Sequence, residues 1–327
     1  MTDSHTSRTS GSGRADIVVL GIFAADLVFQ ASRLPVIGET LLGRDFKIGA
    51  GGKGSNQAIA AARAGGRVGF ITRIGSDTFG ELALSSWRKD GVIEEAITID
   101  AAEATGAAFI FVSTETGNNA IIVSPGAAAK LSPADVAAAE PLIAGAKIFM
   151  TQLEQPVETA MAGLRTARQA GVTTIFNTAP AMPVPDEVWA LCDWVTPNET
   201  EASILTGLPV GTVEEARHAA AALRQRGAGA ALLTLGEKGA LLSATEGDWL
   251  YPPLPDVTVV DTTGAGDAFN AGFAVALAEG RAAGEAVRFA TALAGLSVGK
   301  AGTAAAMPTR AEIEATLPWL AAPDRLR

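Results

Sequence analysis

The chain has 327 residues, of which 48% are hydrophobic and 18% charged, which allows a large buried core in one big domain or two smaller ones. Its formal net charge of −10 argues against nucleic-acid binding, because phosphate backbones are held mainly by Lys and Arg. Cys192 is the only cysteine and the histidines are His5 and His218, so a zinc site of His and Cys ligands is excluded and a general base is expected to be a carboxylate.

The sequence predicts neither a membrane segment nor a secretory signal. Apolar runs stay short of the roughly 18 residues that a bilayer span requires. Residues 1–13 are rich in Ser, Thr and Gly and lack an apolar segment, so we interpret them as a disordered tail. A single cysteine cannot form an intrachain disulfide, which favours a reducing cytoplasm.

The first part of the chain is rich in predicted strands. The apolar run from Ile17 to Gly21 predicts a buried strand, and strand-like or turn-rich segments continue to Ile48. We interpret two strand-rich blocks, residues 23–50 and 97–125, as one small β-sheet lid beside a larger sheet. The other predicted elements here are a Gly-rich turn, an alanine-rich helix over 55–64, a strand over 68–74, a helix over 79–90, and strands over 107–112 and 120–123.

After Pro133, short apolar strands alternate with helical stretches. This alternation is typical of βαβ units and predicts a mostly parallel sheet covered on both faces by helices. We find no linker long enough to separate two domains. The predicted strands are 147–150, 173–176, 194–197 and 231–234, and the predicted helices are 157–170, 199–206 and 213–226.

The stretch from Asp261 to Asp267 predicts an anion site. It follows a strand-like run, Val257 to Val260, and precedes a helix over 268–278. Small residues at a helix start let a ligand approach the backbone, whose free N–H groups suit a phosphoryl group. A carboxylate here would repel that anion unless it acts as a base, the role we assign to Asp267. The alternative is a simple glycine turn with Asp267 in the first helical turn.

The glycine-rich stretch from Gly49 to Asn56 matches two familiar motifs incompletely. It fits G-x-G-x-x-G, but no buried first strand precedes it, as a dinucleotide fold would require. It is not a Walker A loop, since Gly54 follows Lys53 and residue 47 is lysine. Amides of this turn, together with Lys53, would instead hold the hydroxyls of a sugar for in-line transfer. The structural alternative is a turn that packs a helix close to the sheet.

Both stretches, in this order and at this separation, resemble the signatures of the ribokinase-like (pfkB) carbohydrate kinases. The first signature is matched from Gly51 through Gly65 to Gly75, and the second from Asp261 to Gly272. The resemblance extends over residues 16–320 and implies a doubly wound αβα sandwich with a small β-sheet lid, so that 14–320 form the kinase domain. Further matches lie at 152–154, 177–181, 196–201 and 234–236.

The resemblance implies roles for individual residues. Asp267 corresponds to the catalytic base, and the backbone of Gly264, Ala265 and Gly266 to the anion hole. Positions that hold sugar hydroxyls are occupied by Asp26, Gly52, Lys53, Asn56 and Glu154. For some of them a purely structural role is an alternative, since Asp26 and Glu154 also stand at the ends of predicted strands.

Other positions are implied to hold nucleotide and ions. Asn198 and Glu201 resemble the pair that positions Mg²⁺ and phosphate, although Asn-x-x-Glu is also the spacing of a helix capping box. Thr234 and Gly236 line the implied ATP site. A monovalent-cation site, for which K⁺ is the expected ion, would use Asp261, Thr263, Ser297 and Gly302, but Ala306 replaces an expected serine and Lys300 adds a charge nearby. Asp261 has a plainer alternative role as the end of a strand.

The resemblance implies transfer of the γ-phosphate of MgATP to a sugar hydroxyl, with D-ribose to D-ribose 5-phosphate as the leading expectation. Ala24 replaces an asparagine that contacts the sugar in the family pattern, which keeps another pentose, a ketohexose or a nucleoside open as acceptor. A non-enzymatic sugar or nucleotide sensor is the third reading, and the intact Asp267 argues against it. Pairing of lids into a homodimer is also implied.

Overall fold

The apolar runs of the sequence form the centre of a large sheet. We describe residues 14–326 from a computed structural model of the chain; the predicted tail, residues 1–13, lies outside the described residues. The strands are β1 (Ile17–Leu20), β2 (Ala24–Ala31), β3 (Asp45–Gly51), β4 (Val68–Gly75), β5 (Ile97–Asp100), β6 (Ala107–Ser113), β7 (Asn119–Ser124), β8 (Ile148–Thr151), β9 (Thr173–Phe176), β10 (Trp194–Val195), β11 (Ala230–Thr234), β12 (Ala240–Ala244), β13 (Gly247–Tyr251) and β14 (Asp324–Leu326).

Helices cover both faces of this sheet, as the alternating pattern predicts. Several begin with a side-chain cap, for example at Asp77, Asn198, Thr212 and Thr309. The helices are α1 (Lys53–Arg63), α2 (Thr78–Asp90), α3 (Pro133–Ala138), α4 (Glu140–Ala144), α5 (Val157–Gln169), α6 (Glu199–Thr206), α7 (Val213–Gln225), α8 (Ala265–Ala278), α9 (Ala283–Ser297) and α10 (Arg310–Thr316).

The main sheet has the order β14-β13-β12-β11-β10-β9-β8-β1-β4-β5. The seven neighbouring strands β11, β10, β9, β8, β1, β4 and β5 run parallel. Strands β12, β13 and β14 are antiparallel additions at one edge. The chain leaves β1 toward β4 on one side and later returns to β8 on the other. Ligands of open α/β sheets bind outside the carboxyl ends of the strands at such a switch point.

Alternate residues of β1 show how the two layers are built. Ile17 and Val19 pack into a hydrophobic cluster with α1, α8 and α9, whereas Val18 and Leu20 pack into a second cluster with α5 and α7. The predicted αβα sandwich is therefore confirmed. Within residues 14–326, no helix combines the length and the apolar character needed to cross a membrane.

A second, four-stranded sheet has the order β3-β2-β6-β7. It combines strands from both predicted strand-rich blocks, since β2 pairs with β3 on one side and with β6 on the other. The block from 97 to 125 divides between the two sheets, because β5 pairs with β4 in the main sheet. We call the four-stranded unit the small sheet.

Two local predictions were wrong. Val257 to Val260 is not a strand: Val259 and Val260 are about 60% exposed, and the backbone contact of this segment is with Val298 rather than with a neighbouring strand. The glycine-rich stretch at 49 is also not all turn. Gly49 to Gly51 complete β3, and only Gly52, with φ of 85°, makes the turn into α1.

Candidate active site

Polar side chains gather where the central strands end. A cavity of about 200 Å³ opens at this edge, beyond the carboxyl ends of β9, β10 and β11 and against the start of α8. The sequence predictions placed seven of its lining residues at the site: Lys53, Asn198, Glu201, Thr234, Gly264, Gly266 and Asp267. The remaining lining residues are Asn177, Ala179, Thr196, Thr262 and Asn270.

The start of α8 has the properties expected of an anion site. Gly264 has φ of 79°, which favours glycine, and gives the helix no side-chain cap. Ala265 and Ala268 donate their N–H groups to Thr262 and Gly264, but no acceptor within the described residues takes those of Gly266 and Asp267. A Cβ atom built on Gly266 meets nothing within 4 Å. The helix therefore presents free donors to open space.

Asp267 lies at this opening yet is only 5% exposed. Its Oδ2 accepts from Asn56 Nδ2 at 3.0 Å, and its Oδ1 accepts from Gln57 Nε2 at 3.0 Å. Burial raises the pKa of Asp267, while the charge of Lys53 and the two amide donors act in the opposite direction. A buried carboxylate with a raised pKa is a good proton acceptor beside a reacting hydroxyl.

Gln57 is a site residue that the sequence analysis missed. It is fully buried on α1, and its Nε2 also donates to Asn177 Oδ1 at 3.1 Å, while its Oε1 accepts from Gln152. Asn177 in turn donates to the carbonyl of Thr196. The available signal was a polar Asn-Gln pair on an otherwise alanine-rich helix.

Lys53 and Glu154 join the glycine turn to the end of β8. The backbone N–H of Lys53 donates to Glu154 Oε2 at 2.7 Å. Burial would lower the pKa of the Lys53 ammonium, but the nearby carboxylates of Asp267, Glu154 and Glu201 raise it above its usual value. Burial is also the main cause of a raised pKa at Glu154. Lys53 therefore stays charged beside three carboxylates.

Asp26 stands on β2 directly against β3. A Cβ atom built on Gly51 meets the Asp26 carboxylate at 2.3–2.4 Å, so only glycine fits beside it. Burial raises the pKa of Asp26 to about 6. Asp26 does not line the 200 Å³ cavity, but its charge reaches Glu154.

Asn198 and Glu201 form the capping box that their spacing predicts. Asn198 Oδ1 accepts from the N–H of Glu201 at 2.8 Å, and Glu201 Oε2 accepts from the N–H of Asn198 at 3.0 Å. Thr234 lines the same cavity, whereas Gly236 stands on an exposed turn outside it. Glu201 also faces the cavity, and burial raises its pKa.

Comparison with known proteins identifies the family of this chain. The model of the pfkB family carbohydrate kinases matches residues 14–310. This chain belongs to the pfkB family of carbohydrate kinases. It is 39% identical to the ribokinase of Haemophilus influenzae over 91% of this chain and 97% of that protein. It is 35% identical to the deoxyribokinase of Salmonella typhi over 90% and 96%.

Solved structures support the same assignment. Arabidopsis thaliana ribokinase complexed with ribose and ATP superimposes with a TM-score of 0.88 at 34% identity, covering 93% of this chain and 99% of that one. Thermotoga maritima ribokinase gives 0.84 at 35% identity, covering 93% and 99%. The ribokinase-like fold and the carbohydrate kinase class are therefore established for this pfkB family member.

The segments of the expected cation site lie side by side. Asp261 accepts from the N–H of Thr263 at 2.9 Å and from the N–H of Gly302 at 3.0 Å. Burial alone would raise the pKa of Asp261, but the hydrogen bonds outweigh it and hold the pKa below its usual value. Ser297 instead donates to the carbonyl of Ala294 within α9. Lys300 is paired with Glu312 at 2.8 Å, which offsets the charge it adds.

Proposed function

We propose that this pfkB family member is an ATP-dependent ribokinase that forms D-ribose 5-phosphate from D-ribose. The observation that carries the proposal is the buried Asp267 carboxylate at the uncapped, open start of α8, with the charged Lys53 nearby. Ribokinases that match over nearly the whole chain support ribose as the acceptor.

Each part of this arrangement has a place in phosphoryl transfer. Asp267 takes the proton of the attacking primary hydroxyl as the new oxygen–phosphorus bond forms and the bond to the leaving ADP breaks. The N–H groups of Gly266 and Asp267 stabilise the negative charge of the transferring group. Lys53 adds a positive charge on the same side.

The sugar is held by carboxylates and an amide on the β8 and small-sheet side. Asn56 Oδ1 is buried without a hydrogen-bond partner within the described residues, so it is ready to accept from a sugar hydroxyl. Asp26 and Glu154 supply further acceptors, and Gly52 lets the sugar approach the backbone. Sugars are polar ligands whose hydroxyls need such fixed partners.

ATP would enter from the side of Thr234, with its phosphates toward α8. Asn198 and Glu201 line the cavity and offer oxygen ligands of the type that Mg²⁺ prefers. Within residues 14–326, no cluster of three or more His, Cys, Asp or Glu side chains is arranged to hold a metal ion. We therefore propose that Mg²⁺ arrives with ATP, where it neutralises phosphate charge. We also propose that K⁺ binds near Asp261 and activates the enzyme.

The small sheet has an apolar face that suits pairing with a second copy of the chain. Paired residues of adjacent strands share a face, which places Phe29, Phe46, Ile48, Phe109 and Ile122 on one side and Asp26 on the other. Phe46, Ile48 and Ile122 are about half exposed or more. We propose a homodimer through this face, and a cytoplasmic location in keeping with the buried thiol of Cys192.

The choice of acceptor depends on the residues around the sugar, and one of them departs from the family pattern. Ala24, only 4% exposed on β2, stands where the family pattern has a sugar-contacting asparagine. The match to a deoxyribokinase favours 2-deoxy-D-ribose as a second candidate. Both acceptors use the same Asp267 chemistry.

The test is ADP release from MgATP with D-ribose, 2-deoxy-D-ribose, ketohexoses and nucleosides, with and without KCl. Asp267→Asn should lower kcat on ribose by roughly 100- to 10,000-fold, while Asp256→Asn, on an exposed loop, should match the parent protein. Preferred turnover of another acceptor would identify that acceptor as the substrate and leave the proposed mechanism unchanged. Absence of turnover in a folded, ATP-binding protein would contradict the proposal.

A further inference from the structure

A second cavity, of about 600 Å³, lies at the opposite edge of the main sheet. It opens where β10 and β11 begin, at Trp194 and Ala230, whereas the candidate active site lies where these strands end. Ala283 and Gly284 in the first turn of α9 form one wall. The two cavities share no lining residue, so the second is not part of the kinase site.

Aromatic side chains are concentrated in this second cavity. The only tyrosine of the chain, Tyr251, and two of its five tryptophans, Trp194 and Trp249, line it. Trp194 is held edge-on against Phe273, with ring centroids 4.9 Å apart. The guanidinium of Arg325 lies 5.6 Å from the centroid of the Trp249 ring. Fixed, flat aromatic walls favour a flat aromatic ligand.

Hydrogen-bond donors meet on the α9 side of the cavity. Tyr251 is only 5% exposed, and no residue within 14–326 forms a hydrogen bond with its hydroxyl. That hydroxyl lies 2.6 Å from where a Cβ on Gly284 would be, in a helical turn with no side-chain cap. The hydroxyl opens onto the cavity and can donate a hydrogen bond there, and the uncapped first-turn N–H groups also lack an acceptor within the described residues. A ligand that carries an acceptor would satisfy both.

Charge and size narrow the ligand class. Asp193 and Glu246 are the carboxylates that line the cavity. Asp193 already accepts from Arg168 and Thr174, while Glu246 has no ion-pair partner within the described chain. Arg168 and Arg325, which donates to the carbonyl of Glu246, balance these two carboxylates, so the cavity favours a ligand without net charge. The volume falls within the roughly 300–1,000 Å³ typical of small-molecule sites.

We propose that this cavity binds a neutral, planar heteroaromatic molecule of nucleobase or nucleoside size. Its ring lies between Trp194 and Trp249, and its carbonyl or ring nitrogen accepts from the Tyr251 hydroxyl and the start of α9. The site is separate from the kinase site and does not depend on which sugar is phosphorylated.

The test is tryptophan fluorescence and calorimetry with adenosine, guanosine, uridine and AMP, on protein already saturated with ribose and a non-hydrolysable ATP analogue. At least one nucleoside is expected to bind saturably at one equivalent, and AMP more weakly than adenosine. Tyr251→Phe should weaken nucleoside binding about threefold to tenfold, as loss of one hydrogen bond predicts. Ala244→Leu should weaken binding by narrowing the cavity, whereas Trp319→Phe, at a 71% exposed position elsewhere, should not change it.

Two results would overturn the proposal. One is the lack of saturable binding by every nucleoside up to millimolar concentration. The other is binding that Tyr251→Phe and Ala244→Leu leave unchanged, which would place the ligand elsewhere. If Ala244→Leu does not fold, Tyr251→Phe still tests the proposal, because it removes only one oxygen atom and leaves the rest of the side chain in place.

Discussion

Gln57 Nε2 lies 3.0 Å from Oδ1 of Asp267 and 3.1 Å from Oδ1 of Asn177, so one buried amide group connects the proposed base to the end of β9. The second oxygen of Asp267 is held by Asn56. Both carboxylate oxygens are thus fixed by neighbouring residues on α1. The orientation of the base depends on the packing of α1 against α8, and not on α8 alone.

Gln57→Leu should remove one of the donors that lower the pKa of Asp267 and leave the carboxylate less firmly oriented. A base must be deprotonated, so a higher pKa moves the acid limb of kcat/KM to higher pH. We expect kcat to fall roughly tenfold to a hundredfold, the range for one hydrogen bond to a charged group, with a smaller change in ribose KM. The measurement is a pH–rate profile from pH 5 to 9. Gln225→Leu, at an exposed site on α7, is the control, and an unshifted acid limb in Gln57→Leu would contradict the positioning role.

Asp267→Asn should make the protein more stable while removing its activity. The pKa of Asp267 is raised in the folded state, so above its unfolded pKa the ionised group opposes folding, and a neutral amide avoids this. Asn56 can turn its unpartnered Oδ1 toward the new amide. We expect the free energy of unfolding to rise by about 1–2 kcal/mol at pH 8, and the gain to vanish as the pH falls toward 4. Urea unfolding at both pH values measures this, with Asp256→Asn as control. A gain that is equal at both pH values would rule out the electrostatic cause.

Ribose affinity should depend on the ionisation of Asp26. Its pKa of about 6 reflects burial, and the ionised carboxylate is the better acceptor for sugar hydroxyls. The ionised fraction falls about tenfold for each pH unit below the pKa, so calorimetry should show ribose Kd rising as the pH drops from 7 to 5. Asp26→Asn should bind more weakly at pH 7 and lose most of this dependence, while Asp45→Asn on exposed β3 should keep it. If the dependence survives in Asp26→Asn, another carboxylate of the site, Glu154 or Asp267, controls it.

Periodicity and motif order were enough to predict the αβα sandwich, because buried strands such as β1 and β8 are continuous apolar runs. Prediction failed where the local structure depends on neighbours that are distant in the sequence. Val257 to Val260 has strand-forming residues but no neighbour to pair with. Gly49 to Gly51 suggested a turn, yet Gly51 is a strand residue that lacks a side chain because the Asp26 carboxylate fills that space.

The site residues divide in the same way. Asp267, Lys53 and Glu201 belong to motifs that the sequence displays, and the structure brings them to one cavity. Gln57 and Asn177 act through contacts between α1 and β9 that are 120 positions apart in sequence. No local pattern specifies such a contact, so only the fold reveals it.

Ile122→Lys should convert a dimer to a monomer. Ile122 is 69% exposed on the apolar face of the small sheet, and a buried ammonium opposite a second copy would have no partner. Light scattering after gel filtration should give the parent protein twice the 33.2 kDa chain mass and the variant the single mass. Ile204→Lys, at a 60% exposed position on α6, is the matched control and should remain dimeric. A monomeric parent protein, or a dimeric Ile122→Lys, would show that this face does not join two chains. Because the opposite face of the small sheet carries Asp26, loss of the dimer is also expected to raise the ribose KM.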